Sequence, residues 1–332
     1  MSIGVALVVL LVLSQLLVTS HFFDRASLSV LTPLVGIMAI VTIGQALVIG
    51  TGGIDLSVAA VVTLVGQIVL KQAQGQNASL AGSLVVCFVV CVVIGLINGV
   101  LIEGLRLNSL VVTLAMGELI TGLATTYRGQ VAHFSNVPSH LAHAAIANVD
   151  GVSYLLIVAV GLAVLGSVFV HRALVGRRMV LASAARRTAV LMGLRANSYR
   201  VLAYVIAACL YGLGGVLLAG QVQTPDLSLG SPYLLATIAA AVLGGAALTG
   251  GRVSIVATLL GAAFLTILDY DLQVKGYSAG VETVAQGVAL MIALVLAFNV
   301  GRWSAVRSRW WPNRTHPVRE SPPVEGMPAT SE

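Results

Sequence analysis

Gly52-Gly53-Ile54-Asp55-Leu56-Ser57 interrupts two apolar runs, residues 30–50 and 56–71. A glycine pair weakens a helix by about 1 kcal/mol per residue relative to alanine. A carboxylate at bilayer depth costs about 2.5–3.5 kcal/mol on insertion scales. Both in one place mark a broken membrane helix that faces protein or water, the kind of break that lines transport routes.

The rest of the chain supplies the membrane. Of 332 residues, 58% are hydrophobic and 9% charged, with a mean hydropathy of +0.99. A soluble domain carries about 25% charged residues. Crossing about 30 Å of hydrocarbon takes about 20 residues. Apolar stretches at 3–19, 30–50, 56–71, 80–102, 109–127, 151–171, 199–220, 233–248, 252–270 and 281–300 predict an all-α polytopic protein of about ten transmembrane helices. Residues 3–19 follow no basic stretch and precede no small-x-small cleavage pattern, so they read as a retained first span. The 35 glycines suit close helix packing. Residues 1–300 read as one permease-like domain, and 301–332 as a Pro- and Ser-rich disordered tail.

Charge placement sets the topology. Seven arginines lie between Arg172 and Arg200 with no acid among them, and five more between Arg302 and Arg319. Both clusters flank apolar spans, so the positive-inside rule explains them as cytoplasmic segments. A nucleic-acid partner is not implied. With a cytoplasmic N-terminus, six spans return residues 172–198 to the cytoplasm, and ten return the tail. Segments 72–79, 128–150, 221–232 and 271–280 then face outward. Trp303, Trp310 and Trp311 mark a contact with membrane lipid at the interface. Residues 30–127 and 199–300 each hold four spans and start with opposite orientation, which allows an inverted repeat. Its sequence echo is slight: Gly52-Gly53 in one half, Gly244-Gly245 and Gly250-Gly251 in the other.

A few polar residues stand out. Glu118 falls in the middle of the fifth span near Thr113, Thr121 and Thr125. It reads either as a route or gating residue facing the bundle interior, or as a structural acid, protonated or paired. Asp55 suits a cap on the helix beginning near Leu56, accepting backbone N–H bonds. Asn98 lies on a Gly95-x-x-x-Gly99 face and suits close packing with an interhelical hydrogen bond. Cys87, Cys91 and Cys209 sit in apolar runs and read as small buried hydrophobes. His133, His140 and His143 belong to a solvated loop that lacks a metal-ligand set. In the basic segment 176–198, Ala184 to Leu194 reads as a short helix stopped by Gly193. An exposed helix between spans suits docking to a partner, and the arginines alone suit a topology anchor.

Ordered segments along residues 30–300 give the chain a family resemblance. They are Gly44-Gln45-Ala46-Leu47-Val48, Gly52 to Ser57, Ile97-Asn98-Gly99, Val111-Val112-Thr113-Leu114, Gly176-Arg177-Arg178, Ala184 to Leu194, Gly214-Gly215, and Ile238 to Gly251 followed by Arg252. Together they resemble the permease subunit of sugar-uptake ABC transporters, the ribose-type group of the branched-chain amino acid/sugar permease family. The resemblance implies a permease paired with a second copy or a paralogue, ABC ATPase subunits and a separate substrate-binding protein in a bacterial cytoplasmic (inner) membrane. It implies that residues 176–198 are the ATPase-coupling loop, with Arg186, Arg187, Thr188, Ala189 and Gly193 at its centre. Relatives often carry an acid before two alanines there, where this chain reads Arg186-Arg187-Thr188-Ala189. They often carry Arg-Gly where it reads Thr121-Gly122.

The expected function is therefore the translocation path of an ATP-binding cassette importer for a sugar or sugar-like neutral solute. Gly52, Gly53, Asp55, Ser57, Asn98, Thr113 and Glu118 are the candidate path or break residues. No Gly-x-x-x-x-Gly-Lys-Ser/Thr loop occurs, and Lys71 and Lys275 are the only lysines. ATP is expected on a partner subunit and no cofactor on this chain. The alternative is an ion-coupled secondary transporter, which would need an acidic relay and has Glu118 as its one strong mid-span candidate. An enzyme is not expected, since His-Glu-x-x-His and Gly-x-Ser-x-Gly are both missing from the sequence.

Overall fold

A computed structural model describes residues 3–129, 136–184, 196–278, 280–292 and 295. Its helices are α1 (Ile3–Leu13, extended by a π turn Ser14–Val18), α2 (Arg25–Gly50), α3 (Val58–Ala73), α4 (Leu80–Gly104), α5 (Ser109–Arg128), α6 (Ser139–Ile146), α7 (Tyr154–Arg172), α8 (Leu174–Ala184), α9 (Ala196–Val222), α10 (Tyr233–Leu243), α11 (Ile255–Val274) and α12 (Gly280–Ile292). Each of the ten expected spans contains a helix. Among the described residues, however, six combine the length and composition needed to cross a membrane: α2, α4 with its preceding turn, α5, α7, α9 and α11. The other four are shorter apolar helices, so the expected count of ten is not reached by length. The shortening has local causes. α3 starts late because 51–57 is a break. α10 is 11 residues long, about 16 Å at 1.5 Å per residue, because Gly244-Gly245 ends it with Gly245 at φ +83.

One element is hidden at the edge of an apolar run. Asn148–Val149 and Val152–Ser153 form a two-residue antiparallel hairpin. Asp150 (φ 51) and Gly151 (φ 89) occupy its turn, the Asp-Gly pair that a type I′ turn requires. The Thr32 hydroxyl ties this hairpin to α2: it lies 3.0 Å from the Gly151 carbonyl and accepts the Ser153 N–H at 2.9 Å.

α2 is the central post. From Leu31 to Gly50 every residue but Leu34 is buried, and α7, α9, α10 and α11 pack around it. Small residues allow this density. A Cβ on Gly36 would stand 2.6 Å from the Leu155 carbonyl carbon, and one on Gly95 would stand 2.6 Å from both the Tyr204 carbonyl and the Val205 Cα. α4 and α9 thus meet backbone to backbone along Gly95 and Gly99, as the small-x-x-x-small spacing implied. Cys87 and Cys91 are buried in the same region. By contrast, α4 and α7 expose Val85, Phe88, Val89, Ile157, Val164 and Leu165, an apolar exterior of the kind a bilayer or a partner covers.

The connections gather at two ends. One holds the 51–57 break, the α4–α5 turn, the α7–α8 corner, the start of α9 and the α10–α11 loop. It is stitched by Gly251 N–H to the Gly50 carbonyl (2.9 Å), Arg200 to Glu103 (2.5 Å) and Arg178 to the Tyr199 hydroxyl (3.3 Å). It carries Arg172, Arg177, Arg178 and Arg200, and is called the arginine end below. The opposite end collects 72–79, the described part of 128–150, and 221–232, joined by Asn77 to Ser139 (3.0 Å) and Val137 N–H to the Gln223 carbonyl (3.0 Å). The parity of the spans predicts this grouping.

Gly95→Leu should lower the thermal stability of the detergent-solubilised protein by the equivalent of about 1–3 kcal/mol. Backbone, not a flexible side chain, occupies the space its side chain needs. Gly82→Leu, with open space around it, should leave the melting temperature unchanged; both are read by thermal-shift size exclusion.

Candidate functional site: a polar break at the arginine end

The break begins with a helix stop written in the sequence. Gly52 N–H bonds the Ile49 carbonyl (2.8 Å), Gly53 N–H bonds the Val48 carbonyl (3.2 Å), and Gly52 has φ +79. This is a Schellman stop with glycine in the left-handed position. Gly53 is needed for space, because the Tyr204 hydroxyl of α9 sits where its Cβ would stand. Gly250-Gly251 closes over the other side: a Cβ on Gly250 would lie 2.8 Å from the Gly52 nitrogen. The two glycine pairs noted as an echo in the sequence are therefore in contact.

After the stop, side chains replace the missing helical hydrogen bonds. Asp55 Oδ1 accepts the Ser57 N–H (2.9 Å) and the Ser57 hydroxyl (2.6 Å). Ser57 Oγ in turn accepts Asn98 Nδ2 from α4 (3.1 Å). Thr113 Oγ1 on α5 accepts the Leu56 N–H (2.9 Å), and Ser109 Oγ lies 3.3 Å from the Ile54 nitrogen. Asp55, Ser57, Asn98 and Thr113 are each at most 1% exposed. α3 begins at Val58, two residues later than the start expected near Leu56, with Ser57 as its N-cap; Asp55 accepts the N–H of that N-cap residue instead of capping the helix itself.

Glu118 stands apart. It lies on the exposed face of α5, between exposed Leu114 and Leu119. The expectation that it faces the interior of this chain is corrected. α5 is lined by α3 and α4 on one side only, and a residue five positions beyond the buried Thr113 has rotated off that side. Arg186, Arg187, Thr188, Ala189 and Gly193 lie outside the described residues, as do His133 and the tail 301–332. The flanks of the basic segment 176–198 are described. Arg200, Tyr199 and Asn197 of α9 are anchored to Glu103 and Arg178. At the same end a cavity of about 400 Å³ is lined by His171, Arg177, Arg252, Val170, Val180 and Gly251, with no acid among the described residues of its wall. Glu103 and Ser109 escape a sequence reading because each sits at the end of an apolar span, where an interfacial charge or hydroxyl is ordinary, and Tyr204 escapes it because an aromatic inside the run 199–220 carries no signal of its own.

Residues 27–298 match the family described as "Branched-chain amino acid transport system / permease component". The chain belongs to this family. The ribose import permease of Bacillus subtilis (strain 168) is 29% identical over 86% of this chain and 89% of its own length. The fructose import permease of Bifidobacterium longum (strain NCC 2705) is 29% identical over 84% and 82%. The autoinducer 2 import system permease of Enterobacter sp. (strain 638) is 30% identical over 78% and 75%. No solved structure matches the chain. The resemblance drawn from Gly52 to Ser57 and the other ordered segments is confirmed. In a multi-pass membrane permease, a break whose open N–H groups are met by Ser109, Thr113 and Asp55 interrupts a helix without baring backbone to lipid.

Asp55→Asn keeps a carbonyl oxygen for the Ser57 donors, whereas Asp55→Ala leaves buried groups unmatched, at about 1–3 kcal/mol. The alanine variant should therefore melt well below the asparagine variant.

Proposed function

We propose that this chain is the permease subunit of an ATP-binding cassette importer that moves a sugar or sugar-like neutral solute handed over by an extracytoplasmic binding protein. The observation that carries the reading is continuous similarity to ribose and fructose import permeases over more than four-fifths of the chain. The chemistry agrees with it. The break is lined by Ser, Thr and Asn around one shielded carboxyl, and a neutral solute requires no counter-charge. The chain carries no phosphate-binding loop of its own, so ATP is bound and hydrolysed by partner subunits.

The arginine end is cytoplasmic in this reading, because it carries the basic cluster. The ATPase docks there, on residues 176–198 and the neighbouring cavity, where Arg177, Arg252 and His171 fit acidic side chains of the partner. All ten apolar helices cross or enter the membrane, and the short α3 and α10 reach into it from opposite sides. A second permease copy or a paralogue covers the exposed face of α5, including Glu118. The ion-coupled alternative needs an acid relay inside the bundle, and the exposed position of Glu118 deprives it of its main residue.

Reconstitution with its ATPase and binding protein in proteoliposomes tests the proposal. One member of a series of pentoses, hexoses and related polyols should stimulate ATP hydrolysis and enter the vesicles. Uptake that persists without ATP and collapses with an ionophore would overturn it. Arg177→Glu with Arg252→Glu should weaken co-purification of the ATPase by about tenfold or more, as a like-charge contact does, while the chain alone keeps its elution profile and melting temperature.

A further inference from the structure

Asp-Leu-Ser occurs twice in the chain, at Asp55-Leu56-Ser57 and at Asp226-Leu227-Ser228. The two copies have the same local geometry. Asp226 Oδ1 accepts the Ser228 N–H (2.9 Å) and lies 3.0 Å from the Ser228 hydroxyl, as Asp55 does with Ser57. They also occupy the same place in their halves. The first follows the 26-residue α2 and precedes the short α3; the second follows the 27-residue α9 and precedes the short α10. One lies at the arginine end and the other at the opposite end, the relation an inverted repeat demands.

The same two helices hold both copies. α3 begins at Val58 and, between two and three turns on, presents Gln67, which is 1% exposed. Gln67 Nε2 donates to the Asp226 carbonyl (2.7 Å) and the Pro225 carbonyl (3.3 Å). α3 also supplies the Thr63 hydroxyl that accepts the Gly230 N–H (2.9 Å). α5 holds the first break through Thr113 and ends on Arg128, whose guanidinium donates to the Pro225 carbonyl (3.1 Å) and to Gln67 Oε1 (3.1 Å). Thr113 and Arg128 are 15 residues apart, about 22 Å along a helix. The breaks differ in one respect: Asp55 and Ser57 are buried, whereas Asp226 and Ser228 are exposed.

We propose that α3 and α5 form one strut gripping both breaks, and that Gln67 and Arg128 are positioning residues that latch the second break over α3 at the far mouth of the path. Release of Pro225 and Asp226 uncovers Thr63. Because α3 and α5 also bind Leu56 and Ser57, displacement at either end is transmitted to the other. The latch rests on the importer reading for its role in transport, but its geometry is tested without sugar or ATPase.

Thr63→Cys is introduced into the full chain in cells, and labelling by a membrane-impermeant maleimide is measured as the increment over the parent chain. Arg128→Ala should raise the labelling rate severalfold, Gln67→Ala should raise it less, and Arg128→Lys should restore part of the protection. In the reconstituted transporter, Arg128→Ala should hydrolyse ATP without binding protein and import less solute per ATP. Where Arg128→Ala does not accumulate, Gln67→Ala, which leaves the guanidinium hold on Pro225, decides. Labelling unchanged in variants that elute like the parent would overturn the latch. Increased labelling seen only in inverted vesicles would support the latch and overturn the assigned orientation. Increased labelling in a chain that no sugar activates would support the latch and overturn the substrate reading.

Discussion

Everything in this molecule depends on what becomes of backbone N–H groups where α2 stops. In hydrocarbon an unpaired peptide group costs several kcal/mol, so a chain interrupts a membrane helix only where neighbours accept the exposed donors. Residues 51–54, 56 and 57 meet that demand donor by donor. Gly52 and Gly53 turn back on α2, Ile54 meets Ser109, Leu56 meets Thr113, and Ser57 meets Asp55. The acceptors come from α5 and from the break itself, and Asn98 of α4 steadies the Ser57 hydroxyl. The position of α4 and α5 against α3 follows from this requirement.

Close packing then fixes α9. Gly95 and Gly99 bring its backbone against α4, and Gly53 leaves room for the Tyr204 hydroxyl. One turn earlier, Arg200 meets Glu103 with both side chains largely buried, 14% and 2% exposed. A pair so shielded is held by geometry more than by net attraction, since desolvation offsets much of its Coulomb energy. It locks the first turn of α9 to the last turn of α4. The basic segment 176–198 runs into α9 at Asn197 and Arg200, so the start of α9 is tied to α4 and through it to the break.

Much of this is legible in the sequence, and for identifiable reasons. Gly52-Gly53 and Asp55 conflict with a continuous membrane helix, so the break announces itself. Gly95-x-x-x-Gly99 has a period that only close helix packing explains. The arginine cluster fixes which connections share an end. What the sequence left open or misplaced has equally specific causes. Glu118 looks interior because span position gives depth but not facing, and α5 is amphipathic about a single neighbouring side. Composition counts ten spans, whereas α3 and α10 are cut short by backbone geometry at 51–57 and at Gly244-Gly245. The Asp150-Gly151 turn is masked by the apolar run that follows it. The kinship between Asp55-Leu56-Ser57 and Asp226-Leu227-Ser228 is hidden because the glycine pairs are the more conspicuous echo, and those pairs touch each other instead of corresponding.

That last point separates two kinds of internal similarity. Gly52-Gly53 and Gly250-Gly251 are alike because two backbones must pass within van der Waals contact, which selects for a missing Cβ on both sides. The two Asp-Leu-Ser turns never meet, so contact cannot explain their likeness. Their common ground is a structural role. Each lies in the polar gap between a long helix and a short one, with the carboxylate holding the N–H two residues on. Satisfying the same backbone deficit at two opposite ends of one bundle favours the same three residues twice. The difference in their burial follows from what surrounds them. Asn98 and Thr113 close over the first turn, while Gln67 and Arg128 hold the second through the Pro225 and Asp226 carbonyls, Thr63 holds it through the Gly230 N–H, and the Asp226 and Ser228 side chains stay exposed. The second turn is therefore held by hydrogen bonds to its backbone and by Pro225 and Leu229 against Gly66 of α3, whereas the first is closed over by side chains on every side.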